Sequence, residues 1–377
     1  MAKDLFPSNH PLTPPHHEEE WLSWLRLLRS RRVGPATFVR LMREHGSAAE
    51  ALIELPKVAK AAGVESYKIC PEGVVQAELK AGKLAGSQLI ALGSPQYPEL
   101  LAQINDAPPL IWVLGNQTIT QRPMIALVGA RNASSIGTRM ARRLAAGLAE
   151  AGFVVVSGLA RGIDTSAHIA AAPFGTLAVM AGGVDVVYPA ENAVLAQEIL
   201  DHGLRISEQP MGLRPIARHF PQRNRIISGL CQGVIVVEAA ARSGSLITAK
   251  CALDQGRDVL AVPGHPFDAR ASGNNFLIRD GATLVRSVED VIAALETAKA
   301  PPPPKMVEVP AAPPERKRDI TKLHTEILSR LGPCPVAEDQ LIRDLKLAAS
   351  DVAPALVNLE LEGKISRQPG GMLNLAC

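Results

Sequence analysis

Apolar residues between Trp21 and about Gly86 recur three and four positions apart: Trp21, Trp24, Leu25 and Leu28 come first, and Phe38, Leu41 and Met42 follow a break at Val33-Gly34-Pro35. That period predicts amphipathic helices joined by a tight turn, a small helical module. From Met124 the period changes. Short β-rich apolar runs at residues 124–129, 153–157, 176–181, 205–207, 234–238, 259–262 and 283–285 alternate with helical segments. Nearly continuous apolar strands with crossover helices predict a parallel sheet covered on both faces. Most of the helices return through a glycine (Gly152, Gly175, Gly203, Gly233, Gly256, Gly281), the residue that best fits a left-handed helix cap.

The last third changes character twice. Residues 300–314 are Pro-rich, with four consecutive prolines, and predict an extended spacer. Helical patterns at 320–331, 336–345 and 350–362 then lead to a short hairpin ending in Met372–Leu375, which is winged-helix order. The third of these helices opens on Asp351 without a basic residue, so it predicts a protein contact or weak binding instead of sequence reading in a major groove. The expected class is α/β: an extended Rossmann-like parallel sheet flanked by an N-terminal helical (SAM or helix-hairpin-helix-like) module and a C-terminal winged-helix-like domain. Expected boundaries are a mobile tail at 1–20, the module at 21–86, the sheet domain at 87–299, the linker at 300–318 and the last domain at 319–377.

Length and composition agree with this division. A chain of 377 residues predicts two to three domains, and 47% apolar residues supply their cores. No run is long enough to span a bilayer, and the polar first twenty residues lack a signal-peptide centre, so a soluble cytoplasmic protein with no membrane contact is expected. Five scattered cysteines without a Cys-x-x-Cys pair suit a reducing compartment and argue against zinc. A net charge of +3 is too small to imply a polyanion by itself. Between Lys83 and Lys250, however, every basic residue apart from histidine is arginine, which suits bidentate phosphate contacts and equally a coding bias.

Candidate chemistry concentrates in the strand-to-helix connections, which share the carboxyl edge of such a sheet, where ligands bind. Gly129 to Gly137, with Arg131, Ser134 and Ser135, predicts a phosphate-cradling turn at a helix start. It lacks the Gly-x-Gly-x-x-Gly spacing of a dinucleotide site and the Gly-Lys-Ser/Thr of a P-loop. Ser157-Gly158 to Asp164 adds a second glycine-rich turn, with Arg161 on the same edge and Asp164 as the expected N-cap. Ser243-Gly244-Ser245 offers further donors. In Phe220-Pro221-Gln222-Arg223-Asn224-Arg225, Pro221 is the expected first helical residue, placing both arginines beside free N–H groups with an aromatic ring near by. The arginine pair reads as a phosphate clamp or as ties to carboxylates within the fold, with Arg223 a candidate to turn inward; the stretch alone leaves both open. Gly34-Pro35, among Arg29, Arg31, Arg32 and Arg40, is likewise a DNA-backbone hairpin or a plain turn on a basic face. His168, Glu208 and His265 form no nucleophile–base set, and no cluster has metal-ligand spacing. Neither enzyme chemistry nor a cofactor is expected; a binder of a polyphosphate chain is.

Taken together the loops resemble the DNA processing protein A (DprA/Smf) family. The resemblance runs from about Ile90 to Val285 and rests on five ordered motifs: Val128-Gly129-x-Arg131-x-x-Ser134-x-x-Gly137; Ser157-Gly158-Leu159-Ala160-x-Gly162-Ile163-Asp164-x-x-Ala167-His168; Gly183-x-Asp185-x-x-Tyr188-Pro189-x-x-Asn192; Phe220-Pro221-x-Arg223-Asn224-Arg225-Ile226-Ile227; and Ser243-Gly244-Ser245-Leu246-Ile247-Thr248-Ala249. Ala130 and Ile136 stand where the family commonly has Ser and Tyr. The resemblance implies a homodimer that binds single-stranded DNA and hands it to the RecA recombinase during natural transformation. It assigns DNA contacts to Arg131, the Ser157–Gly158 turn, Phe220, Arg223 and Arg225, with Arg214 or Arg218 as the basic residue before the phenylalanine. Ser134, Arg161, Asn224, Ser243, Gly244 and Ser245 complete the expected surface. The alternative is a Rossmann nucleotide hydrolase of the lysine-decarboxylase-like type using Glu208 or Glu238, whose Pro-Gly-Gly-x-Gly-Thr loop this sequence lacks. A transcription regulator led by the tail domain is weakened by its acidic third helix.

Overall fold

The computed structural model describes residues 12–298, 320–332, 335–368 and 372–376. The chain divides into two compact units, one up to Ala300 and one from Pro301. The first begins with helices α1 (Glu18–Arg29), α2 (Pro35–His45), α3 (Ala48–Ala61) and α4 (Glu72–Leu84). Gly34 caps α2 and Pro35 is its first residue, a place where the missing N–H costs nothing. The apolar period closes a core around Trp24 and Phe38, whose rings meet edge-on at 5.0 Å, with Leu25, Leu41, Leu52 and Val75. Within the expected 1–20 tail, Leu12 is half-buried, Pro15 is buried and Glu18 already belongs to α1, while residues 1–11 lie outside the described residues.

The sheet domain follows as β1 (Gln88–Ala91), α5 (Glu99–Ala102), β2 (Leu110–Gly115), β3 (Met124–Val128), α6 (Ser135–Glu150), β4 (Val154–Ser157), α7 (Ile163–Ala171), β5 (Thr176–Val179), α8 (Ala193–His202), β6 (Leu204–Ser207), α9 (His219–Leu230), β7 (Gly233–Val236), α10 (Ser245–Asp254), β8 (Asp258–Ala261), α11 (Ser272–Arg279), β9 (Thr283–Leu284) and α12 (Val288–Ala298). The strands form one nine-stranded sheet in the order β1-β2-β6-β5-β4-β3-β7-β8-β9. From β3 to β9 the pairing is parallel, at the places the sequence predicted. β1 and β2 were not predicted; they add an antiparallel extension on β6, with Trp112 opposite Ser207.

Alternating residues of β3 feed opposite faces, Met124, Ala126 and Val128 packing with Ile226 and Leu230, and Ile125 and Leu127 with Leu144 and Leu148. Burial on both sides is why these strands read as continuous apolar runs. Of the glycines expected as left-handed caps, Gly203 and Gly233 do not take a positive φ. Gly203 is needed for close approach instead: a Cβ there would lie 2.2 Å from the Thr176 carbonyl oxygen.

The helical module is bolted to β2. Glu78 of α4 accepts from Arg29 Nε at 3.0 Å, Arg29 Nη2 at 2.8 Å and Trp112 Nε1 at 2.8 Å. The Trp112 ring lies over Gly82, where a Cβ would stand 2.3 Å from Cζ3. Charge is tolerated in this buried contact because the carboxylate is bonded to three donors.

The second unit contains α13 (Ile320–Arg330), β10 (Val336–Ala337), α14 (Glu338–Leu345), α15 (Ala349–Leu361), β11 (Ile365–Gln368) and β12 (Met372–Leu375). Its strands form an antiparallel sheet, β10-β12-β11, over a core of Ile327, Leu341, Val352, Leu356 and Leu373. This is the expected winged-helix arrangement, except that Val336 and Ala337 pair as a strand before α14 begins. The predicted 300–318 linker lies outside the described residues.

Candidate nucleic-acid interface

The chain leaves β3 toward β4, β5 and β6 on one side, and β7, β8 and β9 fill the other. A crevice therefore opens at the carboxyl edge between the loops that follow β3 and β7, as strand order dictates. A cavity of about 620 Å³ occupies it. Its two lips are held together at the base, where Ala130 N donates to the Glu238 carbonyl at 2.7 Å. Gly129 permits that approach, since a Cβ there would fall 2.6 Å from Ile163 Cγ1 and 2.9 Å from the same carbonyl.

The start of α6 was expected to cradle phosphate, and it already holds an anion. Ser134 caps the helix, its Oγ accepting from Gly137 N at 2.9 Å. Ser134 N donates to Glu238 Oε1 at 3.0 Å, and Ser134 Oγ donates to Glu238 Oε2. A Cβ on Gly137 would lie 2.3 Å from that oxygen, so the glycine makes room for the carboxylate. Free N–H groups and the helix dipole favour negative charge here, and the protein supplies its own from the loop after β7.

The second glycine turn forms a buried floor. Ser157 Oγ donates to the Leu127 carbonyl at 2.6 Å. Gly158 N donates to Asp164 Oδ2 at 3.1 Å, and the Arg223 guanidinium lies so close on Gly158 that a Cβ would meet Nη1 at 1.1 Å. Arg223 is 5% exposed and Asp164 6%. Burial pulls Arg223 down to about 10, opposed by Asp164, so the guanidinium stays charged at neutral pH. Burial raises Asp164, and Arg223 pulls it back. Asp164 is not the cap of α7 as expected: Gly162 holds that position, and Asp164 ties the preceding turn to the helix.

Above this floor lies a different surface. The Arg131 guanidinium stands 5.0 Å from the centre of the Phe220 ring, and Tyr188 packs on the same ring at 5.7 Å. Arg242 and Arg270 line the opposite side, both exposed. Among the described residues, Arg131, Arg242 and Arg270 have no ion-pair partner. Asn224 Nδ2 reaches the Gly244 carbonyl at 3.4 Å, while Ser243 and Ser245 bond to each other, Oγ to Oγ, at 2.7 Å. Arg214 and Arg218 are exposed on the connection before α9, also without an ion-pair partner among the described residues. Arg161 is exposed and pairs with Glu191 at 3.2 Å.

Arg225 is elsewhere. α9 starts at His219, two residues before the predicted Pro221, and Arg223 and Arg225 point away from each other. Arg225 pairs with Glu208 and, at 3.4 Å, with Asp106. It lines a separate cavity of about 290 Å³ together with Gly34 and Pro35, so that turn of the helical module faces the sheet domain. Glu208 and Glu238, the carboxylates of the hydrolase reading, are thus engaged by Arg225 and by the α6 terminus. His168 is buried, its pKa lowered to about 3 by loss of solvent and then by Arg223. Among the described residues no group of His, Cys, Asp and Glu could hold a metal ion, and no helix is long and apolar enough to cross a membrane. Sequence reasoning passed over Arg242 and Arg270, and quoted Tyr188 in a motif without giving it a contact. The signal was available, since all three sit in strand-to-helix connections on the carboxyl edge.

Comparison with known proteins agrees with this geometry. The family profile described as DNA recombination-mediator protein A matches residues 88–296, a DprA-like N-terminal HHH domain matches 18–81, and a DprA winged helix domain matches 309–371. DNA processing protein DprA of Streptococcus pneumoniae is 48% identical over 202 residues, covering 53% of this chain and 71% of that protein. The X-ray structure of S. pneumoniae DprA superposes with a TM-score of 0.60 at 36% identity, over 72% of this chain and 97% of that one. A Helicobacter pylori DNA processing protein A, solved for its single-stranded DNA binding mode, gives 0.52 at 28% identity over 57% and 98%. By its sheet domain, its flanking domains and its relatives, the chain belongs to the DNA recombination-mediator protein A (DprA/Smf) family.

Proposed function

We propose that the chain is a single-stranded DNA-binding recombination mediator, acting without catalysis or cofactor, that shields incoming DNA and loads RecA on it during natural transformation. The observation that carries this reading is Phe220 under the Arg131 guanidinium, at the mouth of a crevice ringed by arginines without carboxylate partners. The acids of the crevice, Glu238 and Asp164, are engaged internally, so the cations are left for an external anion. Arginines follow the sugar-phosphate backbone while Phe220 stacks on a base, which gives affinity with little sequence preference. The H. pylori relative supports the choice of single-stranded DNA. RecA, the homodimer and a cytoplasmic location belong to the same proposal.

Oligo-dT titrated by fluorescence anisotropy tests it. Arg131→Ala is expected to weaken binding about tenfold and to flatten the salt dependence by roughly 0.7, the contribution of one phosphate on a single strand. Phe220→Ala should weaken binding by a similar factor with the salt slope unchanged. Equal affinity of both variants and the parent would refute the placement. For RecA, the parent bound to single strands should shorten the lag of RecA filament growth.

A further inference from the structure

We propose that Phe267 is a second base-stacking platform, placed so that one DNA strand crosses the whole carboxyl edge from Phe220 to the loop after β8. This rests on the single-stranded DNA reading above.

Phe267 is 94% exposed, more than any other large apolar side chain of the described residues. An exposed ring usually belongs to a loose loop; this one belongs to a built one. Asn275 brackets the base of the loop, accepting from Gly264 N at 3.2 Å and donating to the Gly264 carbonyl at 3.0 Å. Asn274, 1% exposed, donates to the Val236 carbonyl at 2.8 Å and to the Val262 carbonyl at 2.9 Å, so the loop is fixed to the ends of both β7 and β8. Within it Asp268 N donates to the His265 carbonyl at 2.9 Å, and Ala271 N to the Asp268 carbonyl at 3.0 Å. Among the described residues, the only ring contact of Phe267 is with its own loop, His265 at 5.6 Å. The backbone of the loop therefore holds an aromatic face in water, uncovered among the described residues.

The surroundings say what covers it. Strand order is β5-β4-β3-β7-β8, and the loops at their carboxyl ends carry, in that order, Tyr188 against Phe220, Arg131 after β3, Arg242 after β7, and Arg270 with Phe267 after β8. The three cations step across neighbouring strands, roughly 10 Å from β3 to β8 at the usual strand spacing. An aromatic stands at each end of the row. The acid nearest Phe267, Asp268, accepts the backbone N–H of Arg270 at 2.9 Å. A row of free arginines with an aromatic face at each end suits a single strand, whose bases are unstacked and whose phosphates run continuously. A protein partner would have to bury the same three arginines without carboxylates from this chain to meet them.

The test compares short oligo-dT of about six nucleotides with long oligo-dT of about twenty, bracketing the site sizes of single-strand binders. Phe267→Ala is expected to bind the short strand as the parent does and the long strand about tenfold more weakly, the loss of one stacked base. Phe267→Trp should keep parental affinity and show indole quenching only with the long strand. Phe220→Ala should lose affinity for both lengths. If Phe220→Ala and Arg131→Ala weaken binding while Phe267→Ala matches the parent on every length, the second platform is wrong and the first reading stands. If the parent binds neither length, both fall. If Phe267→Ala changes the mass measured by light scattering and not the affinity, the ring covers a second copy of the chain and the inference is overturned.

Discussion

Arg131 and Arg223 border one crevice and do opposite work. Arg131 is exposed over Phe220, whereas Arg223 is buried on Gly158 beside Asp164. Removing one partner of a buried charge pair leaves the other uncompensated, so Arg223→Ala is expected to cost about 3–5 kcal/mol in urea unfolding. Arg131→Ala should stay within about 0.5 kcal/mol, as exposed substitutions do. The reverse order would show that the roles have been exchanged. His168 gives a pH signature. Thr176 Oγ1 gives its single proton to the Val155 carbonyl at 2.6 Å, so it must accept from His168 Nδ1–H at 2.9 Å, and the ring is neutral. The folded pKa of about 3 lies below the unfolded 6.5, so the unfolded chain takes up the proton first. Stability is then full above pH 6.5 and falls toward pH 3, by about 1.4 kcal/mol per unit. His168→Gln should remove that slope between pH 6 and 5; parallel curves for parent and variant would contradict it. At this scale the sequence placed Arg131 and Phe220 on the carboxyl edge from residue type and loop position, and the structure brings them together there. It could not tell which way two arginines separated by one residue would turn, because their partners include Asp164 and Asp106, far away in sequence, besides Glu208 on the connection before α9. Arg242 escaped because it stands beside Ser243-Gly244-Ser245, whose hydroxyls drew the reading.

Between elements, the sign of one substitution reports how α4 docks on β2. A glycine inside a helix is usually less stable than alanine by about 1 kcal/mol, so Gly82→Ala would ordinarily stabilise. Here the new Cβ would stand 2.3 Å from Trp112 Cζ3. Trp112 is also fixed through Nε1 to Glu78 and cannot move without breaking that bond. Gly82→Ala is therefore expected to destabilise, by about 1–3 kcal/mol, read as a lower urea midpoint. A higher midpoint would mean that the ring is free to shift. The parallel strands from β3 to β8 were legible because they are largely buried on both faces and each is followed by a helix; the two residues of β9 are exposed. β1 and β2 broke that rule: they pair antiparallel at the end of the sheet, and Pro95, Pro98, Pro108 and Pro109 separate them in place of a crossover helix. The occupant of the α6 terminus was hidden for a similar reason. Glu238 comes from the loop after β7, more than a hundred residues along the chain, and only strand order brings it beside β3.

At the scale of the whole molecule, free positive charge is unevenly shared between the two units. The order of helices and hairpin in the last unit was readable from periodicity, and so was the acidic character of α15, which has no Lys or Arg. What periodicity could not show is that the basic residues of the wing are already matched. Lys364 pairs with Glu362 at 2.8 Å, and Arg367 lies between Glu338 and, at 3.6 Å, Glu360. Exposed pairs are individually weak, but each must be broken before its cation can serve a phosphate. Among the described residues, Arg131, Arg242 and Arg270 of the crevice have no ion pair to break. Each unit also closes its own core, Ile327, Leu341 and Leu356 in one and the two faces of the large sheet in the other, so removal of one leaves the other packed. A chain ending at Ala300 is accordingly expected to fold and to bind oligo-dT within about twofold of the full chain, with a salt slope changed by less than the roughly 0.7 of one phosphate. Arg131→Ala in that shortened chain should weaken binding by the same factor as in the full chain. A truncation that weakens binding as much as Arg131→Ala does would place part of the DNA path on the winged-helix unit.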